Sequence, residues 1–96
     1  MKKVFQLTHP KIKPARLADS IRSEVKRYMQ RERRQELPEG ADFWGFDCRF
    51  GATAEEATAV HELDLAKCIS AAEEQGLETF YIEILAKPCQ RTGSPD

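Results

Sequence analysis

Apolar and polar positions alternate or recur with clear periods along most of this chain. Val4 to Thr8 alternates, with Phe5 and Leu7 on one side and Val4, Gln6 and Thr8 on the other, which predicts a short strand. His9 to Lys13 reads as a connector, because Pro10 biases His9 away from helical geometry. Pro14 suits a first helical residue, where its missing N–H costs nothing. From there to about Glu36, Leu17, Ile21, Val25 and Tyr28 recur at helical spacing, within a sector of about 80° at 100° per residue. Leu37-Pro38-Glu39-Gly40 ends this helix. Phe43 to Phe50 is the cleanest alternation, with Trp44, Phe46, Cys48 and Phe50 facing one way, so Trp44, Phe46 and Phe50 are expected in the core.

Residues 51–76 admit two readings. One is a single helix from Thr53, with Glu56 completing a capping box. The other, which is preferred, makes Ala57 to Glu62 a strand after a turn at Ala54-Glu55-Glu56. A helix then runs from near Asp64 to Gly76, because the stripe Leu65, Cys68, Ile69, Ala72 does not continue backwards. Thr79 to Ala86 is the last strand, with Phe80, Ile82 and Ile84 inward and Tyr81, Glu83 and Leu85 outward. Residues 88–96 read as a disordered tail after a single domain over 1–87.

The expected fold is therefore α+β. Its order is β-α-β-β-α-β, a split βαβ (ferredoxin-like) two-layer sandwich with the third strand central. The single-helix reading gives βαβαβ instead. A chain of 96 residues suits one domain. No apolar run is long enough to span a membrane, and the start has no apolar core of a secretory signal. Cys48, Cys68 and Cys89 are odd in number and far apart, which predicts free thiols in a reducing compartment, the cytoplasm.

Charge changes this picture. Residues 1–34 hold eleven cations against three acids, a net of +8, while residues 35–96 hold four against thirteen, a net of −9. On the first helix every cation lies off the apolar stripe. Arg22, Lys26 and Arg33 fall on one flank; Arg16, Arg27 and Arg34 fall on the other. With His9, Lys11 and Lys13 in the connector, these nine are the candidate anion-binding residues, since cations on successive turns can track phosphates.

Four strings stand out together: Leu7-Thr8-His9-Pro10-Lys11-Ile12-Lys13-Pro14, Glu36 to Gly40, Phe43 to Cys48, and Ile82 to Pro88. They resemble a family of small uncharacterised bacterial proteins of about this length, a domain of unknown function. The resemblance implies a bacterial origin and a single domain, and carries over no catalytic residue.

The leading expectation is a non-catalytic module whose basic helix contacts a polyanion such as RNA. The alternatives are a homodimerisation or protein–protein module meeting an acidic partner, and an enzyme using His9 or His61. A partly apolar outer sheet face (Val4, Thr8, Phe43, Arg49, Tyr81, Leu85) would serve self-association or base stacking. The two histidines and three cysteines have no metal-ligand spacing, so neither a metal nor a cofactor is expected.

Overall fold

Alternation in the first residues yields β1, Lys2–Gln6, whose Phe5 is buried while its neighbours face solvent. The computed structural model describes residues 1–91. Pro14 opens α1, Pro14–Arg33, after an extended Lys13. The helix buries Ala18, Ile21, Val25 and Met29. Its end is secured from the sheet, where the Trp44 indole donates to the Gln35 carbonyl at 3.0 Å. That task holds Trp44 at the margin of the core, half-buried rather than enclosed with Phe46. Gly40, at φ +88°, closes the turn leading to β2, Phe43–Gly51.

The stretch after β2 settles on the preferred reading. Thr53 caps a turn, accepting from Glu56 N–H through its hydroxyl at 3.2 Å, and starts no helix. β3 is only Thr58–Val60, followed by a 3₁₀ turn at Glu62–Asp64 and α2, Leu65–Glu74. α2 buries Leu65, Ile69 and Ala72 and ends in a Schellman pattern. Leu77 N–H donates to Ala72 O and Gly76 N–H to Glu73 O, with Gly76 at φ +72°. β4, Thr79–Cys89, completes the chain.

The result is an α+β fold with one open antiparallel sheet in the order β1-β4-β2-β3 and two helices. The order of elements along the chain is the expected one, but the third strand lies at an edge instead of the centre. Ala57 to Glu62 has too little apolar matter to fill a buried, doubly paired position. β4 takes that place with Phe80, Ile82 and Ile84, each 0% exposed. β4 also runs past the expected boundary at 87, because Pro88 pairs with Trp44 and Cys89 with Phe43. The expected tail over 92–96 lies outside the described residues.

The helix-side face of the sheet packs Phe5, Phe46, Cys48, Phe80, Ile82 and Ile84 against the apolar stripes of α1 and α2. Phe80 sits between two other rings, with centroids 5.9 Å from Phe5 and 5.1 Å from Phe50. Because β1 and β2 each pair antiparallel with β4, they run parallel to each other and α1 returns between them. The C-terminal half of α1 therefore comes back beside the start of β1. This return positions the site.

Candidate functional site

α1 is 20 residues long and unbroken, and its two basic flanks meet different surroundings. The flank of Arg22, Lys26 and Arg33 faces α2 and the 3₁₀ turn. Arg22 binds Asp19 at 2.6 Å and donates to the Ser70 hydroxyl at 3.0 Å. Arg33 binds Glu62 at 3.0 Å, with its guanidinium 5.1 Å from the Phe46 ring centroid. Two of these three cations thus serve the packing of helix on helix and on the sheet edge. Lys26 alone of the three has no ion pair among the described residues.

The other flank faces β1. There Lys2, Lys3, Arg27 and Arg31 line one shallow concavity of about 620 Å³ with Met1, Glu24 and Tyr28. Its one acid, Glu24, is held by Lys3 at 2.8 Å. Arg31 lies over the Tyr28 ring at 5.7 Å, and the Tyr28 hydroxyl accepts from the Met1 amine at 3.1 Å. Burial first, and the nearby Glu32 second, push the Tyr28 phenol above its ordinary value, so it stays a neutral hydroxyl. Lys2, Lys3 and Arg31 belong to this cluster although sequence reasoning had not nominated them. The signal that could have found them is topological: a β-α-β unit returns the end of its helix to the start of its first strand.

The connector residues divide similarly. Lys11, Lys13 and Arg16 line a second concavity at the start of α1, with Asp19 on its rim. His9 is occupied locally: its Nδ1 accepts from Lys11 N–H at 3.0 Å and shapes the turn. His61 does the same for Leu63 N–H at 3.1 Å, at the head of the 3₁₀ turn. It also borders a cleft with Arg33, Asp42, Trp44 and Glu62, and another concavity whose lining includes Cys48 and Cys89. Arg34 is exposed at the C-cap of α1, in line with Arg16 and Arg27. Of the nine nominated residues, Lys13, Arg16, Arg27 and Arg34 thus share the β1-side flank.

The outer face of the sheet is less apolar than its sequence suggests. Val4, Phe43 and Leu85 are exposed, but Tyr81 is 8% exposed and its hydroxyl donates to Glu83. The pairs Arg49–Glu83 and Lys87–Asp47 lie between these apolar positions. The buried Tyr81 ring presents little surface for stacking, and these charged pairs interrupt the apolar positions of this face among the described residues.

A family model described as a family of unknown function, DUF6172, matches residues 1–94. The chain belongs to that family. Neither a curated protein nor a solved structure matches it. No helix among the described residues is long and apolar enough to cross a membrane. Among the same residues, no three of His, Cys, Asp and Glu gather as a metal-binding group.

The cysteines are all unpaired. Cys48 is 3% exposed on the core side of β2, and burial pushes its thiol from the ordinary 9.0 up to about 11. Cys89 lies on β4, not in a tail, and is half-buried. At pH 8 a water-soluble disulfide reagent is expected to modify Cys89 first and Cys48 only on unfolding. The raised pKa also fixes a sign. The unfolded thiol ionises at lower pH than the folded one, so Cys48 supports the fold fully below about pH 9. That support declines as pH rises toward about 11. A Cys48→Ala variant, compared with the parent in denaturant titrations at pH 8 and pH 10.5, is expected to lose less stability over that interval. An equal loss in both proteins would remove the thiol as its source.

Proposed function

We propose that this chain is a non-catalytic binding module that contacts the phosphates of a polyanion, RNA above all, through the β1-side flank of α1. One observation carries the reading: Lys2, Lys3, Arg27 and Arg31 converge on one concave surface whose single carboxylate is already taken by Lys3. Mutual repulsion among exposed cations is tolerated cheaply only in solvent, and an arriving polyanion relieves it while releasing its own counterions. The opposite flank supports the reading by contrast, since its Arg22 and Arg33 are committed to Asp19 and Glu62. Three unpaired thiols fit a reducing compartment, and we place the module in the cytoplasm.

The test is a binding titration with labelled RNA between about 50 and 200 mM salt, the range over which phosphate contacts lose affinity steeply. The triple change Lys2→Ala, Arg27→Ala, Arg31→Ala is expected to flatten the log–log salt slope by about 2 to 3 units. The change Arg22→Ala, Arg33→Ala, on the committed flank, is expected to move it by less than about 1 unit. Absence of binding to RNA or DNA at about 50 mM salt overturns the proposal.

A further inference from the structure

The β1-side flank of α1 is built as two cationic clusters with hydroxyls between them. In helical order it presents Lys13 and Arg16, then Ser20 and Ser23, then Arg27, Arg31 and Arg34, and each of these side chains is exposed. The spacings of four, three and four residues from Arg16 to Arg27 keep them on one stripe. From Arg16 to Arg27 the helix rises about 16 Å at 1.5 Å per residue. Lys2 of β1 widens the second cluster. Two carboxylates border the stripe among the described residues, and both are engaged: Glu24 is bound to Lys3 and Asp19, beside Lys13 and Arg16, to Arg22.

Resting on the reading above, we infer that the partner is an RNA duplex, with α1 laid across its minor groove. The Lys13/Arg16 cluster then meets one phosphate backbone and the Arg27/Arg31/Lys2 cluster meets the other, with Ser20 and Ser23 over the groove floor.

Three features of the stripe carry this. First, two clusters about 16 Å apart suit two backbones separated by a groove, and duplex grooves are on the order of 10 Å wide. A single strand would be followed by evenly spaced cations. Second, the stripe offers no exposed ring. Binders of single strands stack bases on aromatic side chains, whereas Tyr28 at the margin lies under Arg31 with its hydroxyl engaged. Third, the centre of the stripe holds two short hydroxyl side chains. The A-form minor groove is wide and shallow and displays 2′-hydroxyls, which serine can both donate to and accept from. Serine there gives contact with the sugar without reading the base. A membrane surface is disfavoured by the same stripe, since none of the large exposed apolar residues (Val4, Phe43, Leu63, Leu85) lies on α1.

The experiment compares three labelled probes of one sequence, about 16 base pairs or nucleotides long. They are an RNA duplex, its single strand, and the corresponding DNA duplex. The full chain is expected to bind the RNA duplex at least about tenfold more tightly than the single strand, because only the duplex occupies both clusters at once. The double change Ser20→Ala, Ser23→Ala is expected to reduce the preference for RNA duplex over DNA duplex by about fivefold or more, leaving the salt slope unchanged. Both serines are exposed on a helix that alanine favours, so the variant tests contact and not folding. Equal or tighter binding of the single strand overturns the duplex inference while leaving the polyanion reading intact. So does an RNA-over-DNA preference that the serine change leaves untouched. No binding to any of the three probes overturns both.

Discussion

Phe80→Ala is expected to lower the stability of this domain by about 3–5 kcal/mol. Phe80 is 0% exposed on a central strand, between Phe5 and Phe50. Removing the ring forfeits its own burial and leaves two neighbouring rings facing a void that the sheet cannot close. Both neighbours sit on strands hydrogen-bonded into register, Phe5 directly opposite Phe80 and Phe50 opposite Ile82. Small domains of this kind hold only about 5–15 kcal/mol in total, so the loss is a large share of the whole. Leu85→Ala serves as the comparison. It truncates the same strand at a position 43% exposed on the open face, where the expected cost is below about 1 kcal/mol. Denaturant titration of the two variants against the parent checks this. A loss below about 1.5 kcal/mol for Phe80→Ala would mean that the three rings are not the centre of the core.

The same residues show what periodicity could reveal and what it could not. Phe80, Ile82 and Ile84 alternate so regularly that their inward direction follows from the sequence alone, and all three are fully enclosed. The stripe of α1 and the glycine stop of α2 are local signals, and they too are legible. Strand order is not local. It depends on which strand can fill a doubly paired position, and the composition of Ala57 to Glu62 was the one warning that the third strand belonged at an edge. The length of β4 was obscured by Pro88, which reads as a terminator. Proline is tolerated there near the strand's end, opposite Trp44.

For the candidate site, angular position on the helix separated two basic flanks correctly but could not say which one stays open. That is decided by neighbours distant in sequence: Ser70 and Glu62 come to Arg22 and Arg33, while Lys2 and Lys3 come to Arg27 and Arg31. One flank thus has two of its three cations engaged, Lys26 excepted, while the other leaves Arg27 and Arg31 exposed beside Lys2. Exposed ion pairs contribute only about 0–1 kcal/mol each, so Arg22–Asp19 and Arg33–Glu62 matter less for stability than for removing their cations from any binding surface.

Gly51→Ala is the second large effect, expected to cost about 2–3 kcal/mol although the position is near the rim of the sheet. A Cβ at Gly51 would lie 2.6 Å from Ala57 Cα and 2.7 Å from Ala57 N, both backbone atoms. Ala57 cannot retreat freely, because it is 5% exposed and its carbonyl accepts from Arg49 at 2.7 Å. The turn through Thr53 and Glu56 must therefore open, and β3 hangs on that turn by only three paired residues, Thr58, Ala59 and Val60. Gly45 is the discriminating comparison on the same strand. A Cβ there would meet Cys89 Sγ at 2.7 Å, a side-chain atom that can rotate aside, so Gly45→Ala is expected to cost less than about 1 kcal/mol. Denaturation of both variants, with hydrogen exchange at Thr58–Val60, separates backbone collision from a general dislike of side chains on this face. Loss of exchange protection in β3 for Gly51→Ala alone is the expected result. Equal stability of the two variants would show that the turn yields and that Ala57 is not fixed. Because β3 leads directly into His61 and Glu62, its release also frees Arg33 while leaving the Arg27 and Arg31 flank in place. Polyanion binding by Gly51→Ala, measured below its unfolding midpoint, is therefore expected to persist.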